Sequence, residues 1–319
     1  MGTLFRIVLY AHDADAARAA ATEAFARVAE LDAALSDYDA ASELSRLARR
    51  SDEEAPTAEV PLSRDLGTIL ACSLAWAERT GGAFDPTVGP LVRLWRRAVR
   101  QGKLPAEEDL YRAAESVGFG LLALTPDART ARLLARDMRL DLGGIAKGFA
   151  VDEAFELLAR RGLERVLVDG GGDLRVGRAP PGRAGWLVGL AGFEGTVERQ
   201  WLVLEHASVA TSGDLERFLE IDGVRHSHLI DPRSGRAVTR RALVTVLGER
   251  CTDVDALASA VSVLGVDGLS ALGWKPDGYE LRVLSLDSAP GAEATLWLTE
   301  GLRDALSSEE PETPSDPGP

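Results

Sequence analysis

Cysteine is scarce in this chain of 319 residues. Cys72 and Cys251 are far apart and have no metal-site spacing, which argues against a disulfide framework or a CxxC site. Histidine is also rare, with four residues. Two of them, His226 and His228, alternate in one segment, but no third soft ligand lies near in sequence, which disfavours a zinc-type site.

Basic residues are outnumbered: 36 Lys and Arg stand against 50 Asp and Glu, for a net charge of −14. No basic run occurs, so a nucleic-acid groove is not expected. No segment has the length and apolarity of a membrane span, the N-terminus lacks signal-peptide order, and Arg6 breaks the myristoylation pattern. We therefore expect a cytoplasmic protein as the sequence is written, or a periplasmic or membrane-anchored one if an N-terminal segment is missing.

The composition is that of a soluble globular protein, with 45% apolar and 27% charged residues. The length fits one large domain or two modest ones. Residues 307–319 read SSEEPETPSDPGP, and a stretch of Pro, Gly, Ser, Thr and acids alone predicts a disordered tail.

Residues 137–162 hold the most informative pattern. Apolar residues alternate with charged ones over 138–142, which predicts a strand that ends near Asp141. Gly143 and Gly144 follow, and apolar residues then recur at helical spacing over 146–161. The pattern therefore predicts a strand, a double-glycine turn and a helix, with Lys147 in the first helical turn.

Such a turn can bind an anion. Glycines let a ligand approach the backbone, and a helix N-terminus presents free N–H groups. Lys147 is unfavourable for the helix dipole, which indicates an external negative charge such as a phosphate. The alternative, a structural turn with a solvated lysine, is about equally consistent with this segment alone. The turn is neither a Walker A loop nor a dinucleotide GxGxxG motif.

Periodicity predicts further elements along the chain. Helices are expected at 15–35, 63–80, 104–118 and 253–264, with a short helix after the turn in 35–47. Strands are expected at 3–10, 166–168, 186–190, 200–205, 242–247, 279–286 and 293–298. Two proline turns indicate a rigid loop at 83–95, either functional or a plain connector, and 49–61 also reads as a loop.

Asp255 and Ser259 are four residues apart on the last long helix, so they share a face. A carboxylate and a hydroxyl are oxygen ligands that suit Mg²⁺. The alternative is an acid favoured by the helix dipole with a small packing serine. His228 is a candidate acid or base, although a structural histidine is the default.

Eight short segments span nearly all of the chain before the tail. They are MGTLF at 1–5, SDYDAASELSRL at 36–47, GGAFDPTVGPL at 81–91, DLGGIAKGFAVD at 141–152, VDGGGDL at 168–174, VATSGD at 209–214, HLIDPRSG at 228–235 and DALASA at 255–260. In this order they resemble the FAD:protein FMN transferases, the ApbE-type flavin transferases.

The resemblance implies one compact α/β (mixed α+β) domain over 1–306, with mixed sheets and flanking helices. It implies transfer of FMN from the substrate FAD to a Ser or Thr of an acceptor protein, with Mg²⁺ required and AMP released. The alternatives are an FAD pyrophosphatase and a non-catalytic FAD-binding carrier. By resemblance, eight residues contact FAD: Met1, Tyr38, Ala83, Phe84, Asp85, Asp141, Lys147 and Ile230.

The resemblance also implies the metal site and the catalytic residues. Gly144, Asp255 and Ser259 fall at Mg²⁺ positions, and His228 matches a histidine proposed as the base. Ser259 replaces the usual threonine but keeps the hydroxyl. Ala258 stands where some members have an additional aspartate, which argues against a second ion.

Overall fold

The computed structural model describes residues 2–193, 200–213, 218–273, 277–286 and 293–307. Met1 and residues 308–319 therefore lie outside the described residues, so the predicted contact of Met1 and most of the predicted tail do as well. The described part has mixed α/β architecture with several sheets and flanking helices, which confirms the predicted fold class.

Eight helices occur in the described ranges. They are α1 Ala14–Leu35, α2 Glu43–Glu53, α3 Arg64–Arg79, α4 Gly89–Gln101, α5 Glu107–Ala114, α6 Ala146–Arg160, α7 Cys251–Ala271 and α8 Glu300–Ala305. A short 3₁₀ turn covers Phe119–Leu121.

The strands in the same ranges are β1 Phe5–Leu9, β2 Val60–Pro61, β3 Leu122–Leu124, β4 Thr130–Leu133, β5 Val166–Gly170, β6 Asp173–Val176, β7 Trp186–Gly189, β8 Trp201–Leu204, β9 Ala207–Gly213, β10 Phe218–Ile221, β11 Val224–Ser227, β12 Ile230–Asp231, β13 Arg236–Ala237, β14 Arg241–Gly248, β15 Glu280–Leu286, β16 Ala294–Leu298 and β17 Leu306–Ser307.

A seven-stranded sheet in the order β1-β5-β6-β9-β14-β15-β16 forms the centre. Neighbouring strands of this sheet run antiparallel. α6 and α7 pack on one face, with α1 against α6 and α3 against α7. The other face is covered by the small sheet β17-β8-β7 and by Leu302 of α8. Burial on both faces explains why β14 is an almost continuous apolar run.

The predicted strand at 138–142 is wrong. Met138, Leu140 and Leu142 are buried in the main core, as the alternation requires. However, within the described ranges the segment pairs with another stretch of chain only through one parallel bridge between Val88 and Arg139. The Asp141 N–H donates to the Pro86 carbonyl of a loop. An extended chain can bury alternate side chains without joining a sheet.

The predicted loops were too long. Pro90 occupies the first turn of α4, where its missing N–H costs nothing, so the proposed loop at 83–95 ends before Gly89. Similarly, α2 continues to Glu53 within the expected loop at 49–61.

α7 is a long, apolar helix of the core. By length and composition it could cross a membrane, contrary to the sequence expectation, but 61% of its most apolar window is buried inside the protein. Gly265, at φ 68° and ψ 177°, interrupts the helix one residue after the predicted end at 264. These features identify α7 as a helix of the protein core and do not support a membrane span.

Candidate functional site

The N-terminal ends of α6 and α7 meet beside the start of β6. Lys147 of α6 places its Nζ 2.6 Å from Asp173 Oδ2, and 3.1 and 3.2 Å from the two carboxylate oxygens of Asp255. The Gly148 N–H also donates to Asp255 Oδ2, at 3.1 Å. We call Lys147, Asp173 and Asp255 the charge cluster.

The charge cluster is largely removed from water. Asp255 is 3% exposed, and the Lys147 side chain is 27% exposed. Burial disfavours the Lys147 ammonium, but the charges of Asp173 and Asp255 outweigh this effect and raise the pKa of Lys147 above its usual value. Burial, together with the charge of Asp255, raises the pKa of Asp173 to about 7. The solvated-lysine interpretation is therefore wrong.

The negative charge that Lys147 faces in this structure comes from the protein itself. The sequence interpretation looked for an external anion, because a lysine in the first helical turn opposes the dipole. Asp173 and Asp255 supply that charge from two other elements, β6 and α7. Asp255 is consequently not simply an acid favoured by the helix dipole. Asp253 has a separate role in the first turn of α7, where it accepts a hydrogen bond from Trp76 Nε1 at 2.8 Å.

The double-glycine turn reaches the same place. A Cβ added to Gly144 would lie 2.7 Å from Ser259 Oγ and 3.4 Å from Phe84 Cε2. Gly144 therefore lies against Ser259, which is one helical turn after Asp255 on α7. Phe84 brings the AFD segment to the turn, although Ala83, Phe84 and Asp85 are all buried.

Asp85 is held by its own loop. Its Oδ1 accepts from the Thr87 N–H and from Thr87 Oγ1, at 2.8 and 2.6 Å. Thr87 Oγ1 in turn accepts from the Gly118 N–H at 2.7 Å. Burial raises the pKa of Asp85, and the bonds from Thr87 oppose that shift. The rigid conformation expected for this loop is therefore built around one carboxylate.

Arg96 connects Asp141 to Tyr38. Its guanidinium bonds both Asp37 and Asp141 and lies 4.3 Å from the Tyr38 ring centroid. Burial raises the pKa of Asp141 and the charge of Asp37 adds to this shift, whereas Arg96 opposes it. The Tyr38 ring is 77% exposed, so a planar group can stack on it.

A recess of about 260 Å³ opens beside Tyr38. Its lining includes Asp37, Arg49, Arg93 and Arg139. It therefore combines an exposed aromatic ring with cationic side chains.

His228 lies in the exposed connection between β11 and β12, and Ile230 begins β12 as a buried residue. The following turn, between β12 and β13, approaches the GGAFD turn, since a Cβ added to Gly82 would lie 3.8 Å from Arg233 Cγ. Trp95 Nε1 of α4 donates to the Gly235 carbonyl at 2.9 Å. The HLIDPRSG segment therefore adjoins the same region of the protein.

Sequence reasoning missed three residues that organise the site. Asp152 and Asp173 lie within segments that resemble the family, and Arg96 lies five residues after another. The sequence patterns assigned none of the three a role. Asp173 follows three consecutive glycines at a strand start, and Asp152 stands four residues after Gly148, on its face of α6. Both patterns are visible in the sequence, but the residues that Asp173 and Asp152 contact are distant along the chain.

The comparisons with known proteins agree with this geometry. Residues 1–282 match the sequence model of the ApbE family. The chain is 36% identical over 289 residues to the FAD:protein FMN transferase of Treponema pallidum, covering 85% of this chain and 79% of that one. It is 33% identical over 243 residues to the FAD:protein FMN transferase of Vibrio cholerae, covering 74% and 70%.

Solved structures give the same result. A mutant of the flavin transferase ApbE from Vibrio cholerae superposes with a TM-score of 0.83 at 26% identity, over 96% of each chain. The apo flavinyl transferase ApbE of Pseudomonas stutzeri superposes with a TM-score of 0.82 at 26% identity, over 96% of this chain and 94% of that one. This chain belongs to the ApbE family.

Proposed function

We propose that this chain is a Mg²⁺-dependent FAD:protein FMN transferase, which moves FMN from FAD to a Ser or Thr hydroxyl of an acceptor protein and releases AMP. The observation that carries the proposal is the buried charge cluster where α6 and α7 meet, directly beside Gly144 and Ser259. The names of the relatives support the same activity.

The residues present fit a magnesium ion that takes some of its ligands from the protein and the others from the substrate and water. Asp255 offers a carboxylate, Ser259 a hydroxyl and Gly144 a carbonyl, all of them oxygen donors. Within the described residues, no group of three or more His, Cys, Asp or Glu side chains is arranged to hold a metal. Mg²⁺ commonly binds through one or two carboxylates and completes its shell with water and substrate phosphate. The side chain of Ala258 has no ligand atom, which favours one ion.

Asp173 adds to this fit. Its buried Oδ2 lies 2.6 Å from Lys147 Nζ as an ion-pair partner and has no other hydrogen-bond partner among the described residues. A buried carboxylate oxygen with unused capacity is consistent with a cation site. Asp173 is therefore a second carboxylate available near Asp255.

When bound, Mg²⁺ supplies charge neutralisation on the pyrophosphate oxygens. Lys147, kept protonated by its carboxylate partners, supplies a further positive charge from the N-terminus of α6. The acceptor hydroxyl oxygen bonds to the FMN-side phosphorus, the bond to the bridging oxygen breaks, and AMP leaves with that electron pair. His228 accepts the hydroxyl proton, a role that a neutral imidazole can serve near pH 7.

The remaining FAD contacts follow from the family resemblance. Tyr38 and Asp141 lie together through Arg96, and Ala83, Phe84 and Asp85 lie in the loop against Gly144. We propose that the exposed Tyr38 ring and the adjoining recess bind one end of FAD, while its pyrophosphate lies at the charge cluster.

The test uses FAD, with and without Mg²⁺, and a protein that carries a Ser/Thr flavin-acceptor segment. The expected result is Mg²⁺-dependent AMP release together with covalent flavin fluorescence on the acceptor. The matched control is the same acceptor with its hydroxyl residue replaced by Ala. AMP release without acceptor labelling would identify an FAD pyrophosphatase, and FAD binding without AMP release would identify a carrier.

A further inference from the structure

α7 does not cap its own N-terminus. A helix begins with backbone N–H groups that have no partner in the helix, and a side chain at the N-cap usually accepts one of them. The N-cap residue of α7 is Arg250, which makes no side-chain cap hydrogen bond. α7 is the helix that carries Asp255. The backbone N–H groups of its first turn therefore need a hydrogen-bond acceptor from another part of the protein.

Asp152 of α6 supplies that acceptor. Its Oδ1 accepts from the Cys251 N–H at 3.0 Å, and its Oδ2 accepts from the Thr252 N–H at 2.9 Å and from Thr252 Oγ1 at 2.6 Å. Asp152 is 4% exposed. A buried carboxylate on one helix thus caps the next, with bonds that its charge strengthens.

The Asp152 carboxylate is itself held in place. Arg175 of β6 donates to Asp152 Oδ1 at 2.9 Å, and the same guanidinium pairs with Glu156 at 2.9 Å and lies 4.3 Å from the Phe155 ring centroid. The cap is therefore fixed by the central sheet as well as by α6.

A second contact sets the spacing of the two helices. Gly148 precedes Asp152 by four residues on the same face of α6, and a Cβ there would lie 2.2 Å from the Cys251 carbonyl oxygen. Asp255 lies four residues after Cys251 and receives the Gly148 N–H. The capping contact and the charge cluster are consequently two points of one helix junction.

We propose that Asp152 is a positioning residue: by capping α7 from α6, it holds Asp255 where the carboxylate meets Lys147 and the metal. Asp152 does not touch the reacting atoms. Loss of the cap lowers the fraction of protein in which Asp255 is correctly placed, and the apparent metal affinity falls by that fraction. This inference rests on the proposed Mg²⁺-dependent function.

The test is calorimetric titration of Mg²⁺, in the presence of FAD, into the wild-type protein and the Asp152→Asn variant. The substitution preserves size, but it turns an NH₂ group toward backbone donors and removes one of the two carboxylate charges that Arg175 contacts, leaving Glu156. Residues that orient metal ligands typically change metal affinity by about 10–100-fold, so we expect a weakening in that range. The Mg²⁺ dependence of AMP release should shift to the same extent, while kcat at saturating Mg²⁺ recovers toward the wild-type value.

Asp253→Asn is the matched control. It makes the same chemical change in the first turn of α7, but Asp253 bonds Trp76 of α3 rather than α6. Its Mg²⁺ dissociation constant should remain within about twofold of wild type, a difference too small to count as an effect. An equal loss in Asp253→Asn would overturn the inference, because the effect would then belong to the helix as a whole.

A structural cap without a positioning role gives a different result. Asp152→Asn would then lower Tm and leave the Mg²⁺ constant unchanged, which would contradict the proposal. If Asp152→Asn does not fold, Thr252→Val removes just the hydroxyl contact at 2.6 Å. That variant should bind Mg²⁺ more weakly than wild type, and an unchanged constant would overturn the proposal. Wild-type protein that binds no Mg²⁺ even with FAD present would refute the proposed function as well, whereas normal wild-type binding with an unchanged Asp152→Asn constant would refute only the positioning role.

Discussion

Gly148→Ala tests whether the close approach of α6 and α7 positions the site. In an ordinary helix this change is favourable by up to about 1 kcal/mol, since Ala has the higher helix propensity. Here the new Cβ would lie 2.2 Å from the Cys251 carbonyl oxygen and 2.9 Å from Asp255 Cβ. Both obstacles belong to the α7 backbone or its first side-chain carbon, so a change of rotamer cannot relieve them. α7 must move away by roughly 1 Å, and overpacking of this kind costs about 1–3 kcal/mol.

The same movement breaks the hydrogen bond from the Gly148 N–H to Asp255 Oδ2, now 3.1 Å long. A misplacement of about 1 Å can lower catalysis by about 10²-fold. We therefore expect Gly148→Ala to reduce the free energy of unfolding in urea and to reduce AMP release by about that factor. Gly120→Ala is the control, because Gly120 has ordinary φ and no heavy atom within 4 Å of an added Cβ. A Gly148→Ala protein with wild-type stability and full AMP release would refute the role of the helix junction.

Three further predictions follow from the site and the helix layer. Lys147→Ala should weaken FAD binding by about 1–3 kcal/mol in fluorescence titrations, the size of a charge-assisted hydrogen bond, and an unchanged constant would exclude a phosphate contact. Asp255→Ala should abolish both transfer and hydrolysis. His228→Ala should instead slow transfer by roughly 10²–10⁴-fold and preserve Mg²⁺-dependent FAD binding. Loss of that binding in His228→Ala would disprove the role of His228 as the base. Asp65→Asn should cost about 1 kcal/mol near neutral pH, because Arg27 bonds both oxygens of this partly exposed carboxylate. Arg27 lowers the pKa of Asp65 below its usual value of 3.8, so this stabilisation is present above that pH and is lost as pH falls through the lower folded pKa. Urea denaturation of both proteins should therefore converge in acid, and a difference that persists there would contradict the assignment.

Local periodicity was sufficient for most of the fold. The helices at α1, α3 and α6 begin and end within a residue or two of their predicted bounds, because each has an apolar stripe and a clear start or stop signal. The segment at 138–142 was misread because burial on alternate sides does not show whether a neighbouring strand exists. The turn at Pro90 was misread because proline also begins helices.

The candidate site was predictable only in part. The shared face of Asp255 and Ser259 is visible as a four-residue spacing on one helix, and the family resemblance adds Gly144 to the predicted magnesium site. Asp173 and Asp152 were missed because their roles depend on partners far along the chain: Asp173 faces Lys147, and Asp152 caps a helix that starts 99 residues later. A single sequence contains both partners but does not show that they meet.

The most direct test of the account is the mass of the acceptor protein after incubation with FAD, Mg²⁺ and this chain, measured beside the amount of AMP released. We expect an acceptor heavier by one phosphoester-linked FMN, AMP in equal amount, and neither product with Asp255→Ala. AMP release with an acceptor of unchanged mass, or an FMN adduct formed equally well by Asp255→Ala, would contradict it.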